Sequence, residues 1–183
     1  MKKTVLTFGL ISGVIIAVLM GINSLFADRI GFDRAVYVGY ATMLVAFLLV
    51  PFGIKSYRDN VGDGEITFGR AFTVGILITL ICCVFYVVSW QILYYTVLHD
   101  FPEKYAAYLM ETERAAGATP EQLAQKLEEV NQMKAMLDNP LIAPAVIFVA
   151  EPLPVGFGMT LVSALILRKR RKLRPSTDYA DSV

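Results

Sequence analysis

Glu151 is the only charged residue in the apolar stretch Leu141–Leu167, where it stands in the run IFVAEPLPVGFG. An ionisable group in hydrocarbon costs on the order of 3 kcal/mol and marks either a site of function or a group tied to a partner. At 1.5 Å per helical residue, Glu151 lies about 24 Å from Leu167. That depth is just beneath one headgroup layer and away from the midplane, so the carboxylate can reach water. Desolvation there raises its proton affinity, and a basic neighbour lowers it. His99, Arg29 and Arg34 fall on the same side of the bilayer and are candidate partners. Pro144, Pro152, Pro154, Gly156 and Gly158 surround the carboxylate. Prolines remove backbone donors and clash with the preceding turn, which predicts a short helix over 140–150, a break at Glu151-Pro152, and a span from Pro154 to Leu167. Irregular backbone at this depth needs shelter in protein or a wet cavity. Two readings follow. In the preferred one Glu151 closes the break and pairs with a neighbour; in the other it is a proton, ion or substrate site shaped by Pro152 and Pro154.

Little else in the chain could do chemistry. His99 is the lone histidine and sits just past the third apolar run, where a structural role is the simpler reading. Cys82 and Cys83 are adjacent inside an apolar run, and neighbouring helical cysteines point about 100° apart, outside disulfide geometry. They read as small packing residues. No nucleotide loop, metal-ligand spacing or nucleophile elbow is present. No catalytic residue, metal or cofactor is therefore assigned, and the chain is not expected to be an enzyme.

The elements that would position Glu151 are apolar helices. The chain has 183 residues, 56% hydrophobic and 18% charged, against about 25% charged in soluble domains. Four apolar stretches match the roughly 20 residues needed to cross a bilayer: about 4–26, 36–54, 70–97 and 145–167. None has Lys or Arg in its interior, and barrel-type alternation is absent. The first has a basic start, Lys2 and Lys3, but exceeds a signal peptide's usual apolar length and lacks a small residue three positions before the candidate cleavage point, so it reads as an uncleaved anchor. The expected fold is an all-α integral-membrane four-helix bundle in a single membrane domain.

Basic residues sort by side. Eleven, including Lys2, Lys3, Lys55, Arg58, Arg70, Arg168 and Lys169, fall on one side, and six fall on the other. The positive-inside rule puts the first group, and both termini, in the cytoplasm. Acidic residues divide oppositely, ten outside and five inside. Tyr37, Tyr40, Trp90, Tyr94, Tyr95 and Tyr57 fit interfacial belts. The loop KSYRDNVGDGEITFGR carries turn chemistry at Asn60, Gly62, Asp63 and Gly64 and reads as a solvated connection, or else as a docking element. Residues 100–139 form the main polar insertion, expected to be an extracytoplasmic helical hairpin. Gly117 would end its first helix. Thr119, Pro120 and Gln122 start the second as a capping box, with Leu123, Leu127, Val130 and Leu137 as its seam. Pairing within the chain is preferred over an intermolecular coiled coil.

Small residues recur every four positions in the first span, at Gly9, Gly13, Ala17 and Gly21, which lets another helix backbone approach. Ala71, Gly75, Thr79 and Cys83 repeat the device in the third, and Gly156, Thr160 and Ala164 in the fourth. Packing within the bundle is preferred, with contacts between copies as the alternative. The tail after Leu167, RKRRKLR, reads as a cytoplasmic anchor attracted to anionic lipid.

The segments TFGLISG at Thr7–Gly13, SYRDN at Ser56–Asn60, ITFGRAFTVGILITLI at Ile66–Ile81, KYAAY at Lys104–Tyr108, NPL at Asn139–Leu141 and EPLPVG at Glu151–Gly156 resemble a bacterial family common in Bacteroidota, domain of unknown function 4199. The resemblance implies a small multi-pass inner-membrane protein and no particular activity. The expectation is thus a structural or accessory subunit embedded in the lipid bilayer, with a second copy or another membrane protein as partner and no nucleic acid. A small oligomeric transporter or channel subunit using Glu151 is the alternative.

Overall fold

The computed structural model describes residues 1–169; the basic tail beyond Lys169 lies outside the described residues. Among them the chain is all-helical: α1 (Lys2–Leu25), α2 (Ala27–Ile30), α3 (Phe32–Phe47), α4 (Leu49–Val61), α5 (Phe68–Thr96), α6 (Phe101–Ala115), α7 (Pro120–Leu137), α8 (Ile142–Ala150) and α9 (Pro152–Leu167). Four helical segments are long and apolar enough to cross a membrane: Lys2–Leu25, Phe32–Val61, Phe68–Thr96 and Ile142–Leu167. Two of these are interrupted, and proline accounts for both. α3 ends at Phe47, four residues before Pro51, whose ring has no N–H to offer the Phe47 carbonyl and clashes with it. α8 ends at Ala150 because Pro152 has no N–H to offer the Phe148 carbonyl and its ring crowds that turn, and Glu151 is twisted off ideal helical values to φ −113°, ψ −78°. Helix resumes at Pro152, two residues earlier than the sequence predicts, because the first turn of a helix has no use for proline's missing donor. At about 1.5 Å per residue, α9 alone is near 24 Å, so the crossing needs α8 as well.

α5 is the central helix: α1, α4, α8 and α9 all pack on it. The apolar effect does not drive helices together inside lipid, so close backbone approach and polar bonds must do it. Gly9 and Gly13 of α1 lie against Ile81 and Phe85; Gly75 of α5 lies against Thr160 and Ile54; Gly156 of α9 lies against Thr79 and Phe47. Thr79 Oγ1 and Thr160 Oγ1 are 2.9 Å apart, and Ser12 Oγ donates to the Ala46 carbonyl at 2.7 Å. Asn23 Nδ2 donates to Thr42 Oγ1 at 2.8 Å. The upper half of the first-span row behaves differently. Ala17 is half-buried, and a Cβ on Gly21 would meet nothing within 4 Å, so the close approach is confined to Gly9 and Gly13.

At the Lys2 end, the connection from α4 to α5 turns through positive φ at Asp63 (51°) and Gly64 (80°). Ile66 then pairs with Lys169 in an isolated antiparallel bridge, with N···O distances of 3.0 and 2.9 Å. This bridge ties the loop to the end of α9 and buries Ile66. At the opposite end α6 and α7 pack against each other, turning at Gly117 (φ 84°), and the Thr119–Gln122 capping box is formed in both directions. Val130 and Leu137 are buried, whereas Leu127 of the expected seam is exposed. α6 also makes aromatic contacts with α3: Phe32 meets Phe101, Tyr105 and Tyr108 with ring centroids 5.1–5.7 Å apart.

Candidate functional site

Glu151 is half-buried at the α8–α9 break, and its Oε2 accepts a 2.5 Å hydrogen bond from the Tyr86 hydroxyl. Tyr86 belongs to the buried face of α5 that also carries Ala71, Val74, Gly75, Ile78, Thr79, Cys82 and Cys83. The bond therefore pins the one irregular stretch of the fourth crossing to the central helix. Directly below it, Thr79 Oγ1 donates to the Gly156 carbonyl at 3.3 Å. Pro152, fully buried, closes the break from the protein side, while Pro154 is exposed. Backbone irregularity at membrane depth is thus sheltered by protein.

The candidate partners named from the sequence stand elsewhere. His99 is exposed in the connection between α5 and α6, and makes no hydrogen bond or ion pair with Glu151 among the described residues. Arg29 is exposed with its guanidinium 5.9 Å from the Phe26 ring centroid, and Arg34 is exposed on α3. The sequence predicts a charged partner, whereas the structure supplies a phenol. A signal for it existed: Tyr86 lies a full turn inside the Trp90–Tyr94–Tyr95 cluster, and a tyrosine buried that far along an apolar run needs an acceptor.

The same pairing occurs twice more. Tyr94 donates to Asp138 Oδ1 at 2.6 Å, joining α5 to the end of α7. Tyr108 donates to Asp33 Oδ1, joining α6 to the start of α3. Tyr94, expected in an interfacial belt, is 4% exposed, and Tyr57 is buried likewise, so both are packing residues. Trp90 stacks on Tyr94 with centroids 4.8 Å apart. On the hairpin itself Lys134 Nζ donates to Glu103 Oε1, which holds the Glu103 carboxyl below its ordinary range and the lysine above its own. Three tyrosine–carboxylate bonds thus run from the break to the hairpin, each between helices distant in sequence.

Cys82 and Cys83 are free and fully buried. No group of three or more His, Cys, Asp or Glu suited to a metal occurs among the described residues. A family profile described as "protein of unknown function (DUF4199)" matches residues 7–169. The chain belongs to this family. No curated protein and no solved structure matches it. In this DUF4199 member the matched range takes in three of the apolar helical segments whole, the first from residue 7 onward, the hairpin and the Ile66–Lys169 bridge. One polar atom stays unsatisfied near this region, Gln91 Oε1 on α5, which is buried with no hydrogen-bond partner among the described residues.

Proposed function

We propose that this protein is a non-enzymatic scaffold or accessory subunit of the bacterial cytoplasmic membrane. Both chain ends lie in the cytoplasm, and the α6–α7 hairpin is presented on the outer side to another membrane protein or a second copy. The observation that carries this reading is the Tyr86–Glu151 bond. The single embedded carboxylate is engaged in joining helices, and the Tyr94–Asp138 and Tyr108–Asp33 bonds extend that joinery to the hairpin. A rigidly held polar hairpin on a lipid-embedded bundle suits presentation to a partner. The excess of basic residues at the Lys2 end supports the orientation.

A photo-crosslinker placed at exposed hairpin positions such as Gln125, followed by denaturing purification from intact membranes, tests the proposal. Recovery of one reproducible membrane protein, or of a crosslinked dimer, supports it; adducts spread over unrelated proteins overturn it. Reporter fusions at Gly62 and Gly117 test the orientation, and a Gly117 fusion active in the cytoplasm refutes it. A second reading draws on the fact that Glu151's partner is itself a proton donor: an oligomer could pass protons along this pair. Proteoliposomes with a pH dye distinguish the two, since proton flux that Glu151→Gln abolishes at unchanged protein yield favours transport.

A further inference from the structure

The Lys2 end of the bundle holds a cationic concavity. A cleft of about 1050 Å³ opens there, lined by Gly62, Glu65, Thr67–Arg70, Thr73, Arg168 and Lys169 among others. Three cations, Arg70, Arg168 and Lys169, meet a single carboxylate, Glu65. None of the three makes an ion pair with another described residue, and all are exposed. They come from chain positions about a hundred residues apart and are brought together by the Ile66–Lys169 bridge, which fixes the start of α5 beside the end of α9. The first turn of α5 lines the same cleft and adds the positive end of a 29-residue helix.

One wall continues as a ladder of aromatic rings. Phe68, on the cleft rim, stacks on Phe72 at 6.0 Å, and Phe72 meets Phe157 of α9 edge-on at 5.8 Å. Phe68 and Phe157 are 36% and 44% exposed, so the ladder presents apolar surface between α5 and α9. A cationic cleft at a helix-bundle end, continuous through Phe68 with exposed aromatic surface across two apolar helices, matches one class of ligand: a phosphate headgroup carrying acyl chains.

We propose that this cleft binds the headgroup of an anionic phospholipid, with Arg70, Arg168 and Lys169 on the phosphate and an acyl chain along Phe68, Phe72 and Phe157. Guanidinium groups fork onto phosphate oxygens, and basic pockets between spanning helices select anionic headgroups in this way. A free anion would use the cations without the ladder, which separates the two sources.

Native mass spectrometry of the full chain, titrated with phosphatidylglycerol or phosphatidylcholine, tests the assignment. The expected result is at least tenfold preference for phosphatidylglycerol. Arg70→Gln should lower that preference about fivefold, as should Arg168→Gln with Lys169→Gln or more. Neutralising Arg170, Arg171, Lys172 and Arg174 should leave most of it, and Lys126→Gln on the hairpin all of it. Phe157→Ala should weaken the lipid without altering binding of inorganic phosphate. Equal binding of the two lipids overturns the proposal. So does a preference that survives Arg70→Gln but vanishes with the tail charges, or displacement of the lipid by millimolar inorganic phosphate. Arg70 is exposed, so a thermal unfolding scan of the same samples certifies that the variant is folded.

Discussion

Gly156→Ala tests whether close backbone approach, rather than apolarity, holds the fourth crossing. A Cβ at Gly156 would stand 2.4 Å from Thr79 Cγ2 and 2.8 Å from the Phe47 ring, well inside contact distance. Neither neighbour can yield cheaply. Phe47 and Thr79 are fully buried, and the β-branched Thr79 is held by Thr160 Oγ1 and the Gly156 carbonyl. Overpacking of this kind costs about 1–3 kcal/mol. Displacing α9 also lengthens the Thr79–Gly156 bond, worth about 0.6 kcal/mol in a membrane. Alanine's better helix propensity returns about 0.5–1 kcal/mol, leaving a net loss of about 1–3 kcal/mol. Gly158, two residues on, is the internal control. It is exposed, a Cβ there meets nothing within 4 Å, and Gly158→Ala should be neutral or stabilising by up to about 1 kcal/mol. Reversible unfolding in mixed micelles by sodium dodecyl sulfate, followed by helical circular dichroism and by the fluorescence of Trp90, the only tryptophan, measures both. If Gly156→Ala unfolds at the wild-type detergent fraction or above, or both variants shift alike, the packing account of α5 and α9 is wrong.

Three further outcomes follow from the polar and aromatic joints. Tyr86→Phe leaves the Glu151 carboxylate without its donor and should cost about 1–2 kcal/mol in the same micelle assay, whereas Val88→Ala, on the exposed face of α5, should cost well under 1 kcal/mol. Phe32→Ala removes the ring shared by Phe101, Tyr105 and Tyr108 and should loosen α6 locally by about 2 kcal/mol. Hydrogen exchange would then rise in α6 and stay unchanged in α5; equal rises in both would refute a local role. The third concerns pH. Lys134 holds the Glu103 carboxyl below its ordinary range, so its contribution is fully present above an ordinary glutamate's pKa of about 4.3 and is lost as pH falls through the lowered folded value. After correction for intrinsic rates, exchange in α6 and α7 should quicken on acidification below that range, and Lys134→Met should remove the step. A step of the same size in the variant would place its origin elsewhere.

The helix count and most helix ends follow from local chemistry. Runs without Lys or Arg in their interiors, Pro51 and Pro152, the Thr119–Gln122 box, and Gly117 each act within about one turn, so a reader of the chain can find them. The turn at Asp63-Gly64 is of the same kind. The break at Glu151 is local too, because Pro152 removes a backbone donor and crowds the preceding turn whatever else is near.

What the chain could not disclose is which side chain meets which across helices. The spacing of Gly9, Gly13, Ala17 and Gly21 is uniform, yet only the first two are used, pressed on by Ile81 and Phe85, while nothing lies within 4 Å of where a Cβ on Gly21 would stand. Leu127 fits a seam by period but faces solvent, and the aromatic residues of α6 meet Phe32 from another helix. Glu151 is marked in the chain by its charge, but its partner Tyr86 is neutral and carries no such mark. In lipid a neutral donor brought close by two packed helices satisfies a carboxylate without burying a second charge, and only the packing of α5 against α8 and α9 selects that donor. The cationic cleft is of the same origin. Arg70 and Lys169 are far apart in sequence, and two backbone hydrogen bonds at Ile66 make them neighbours.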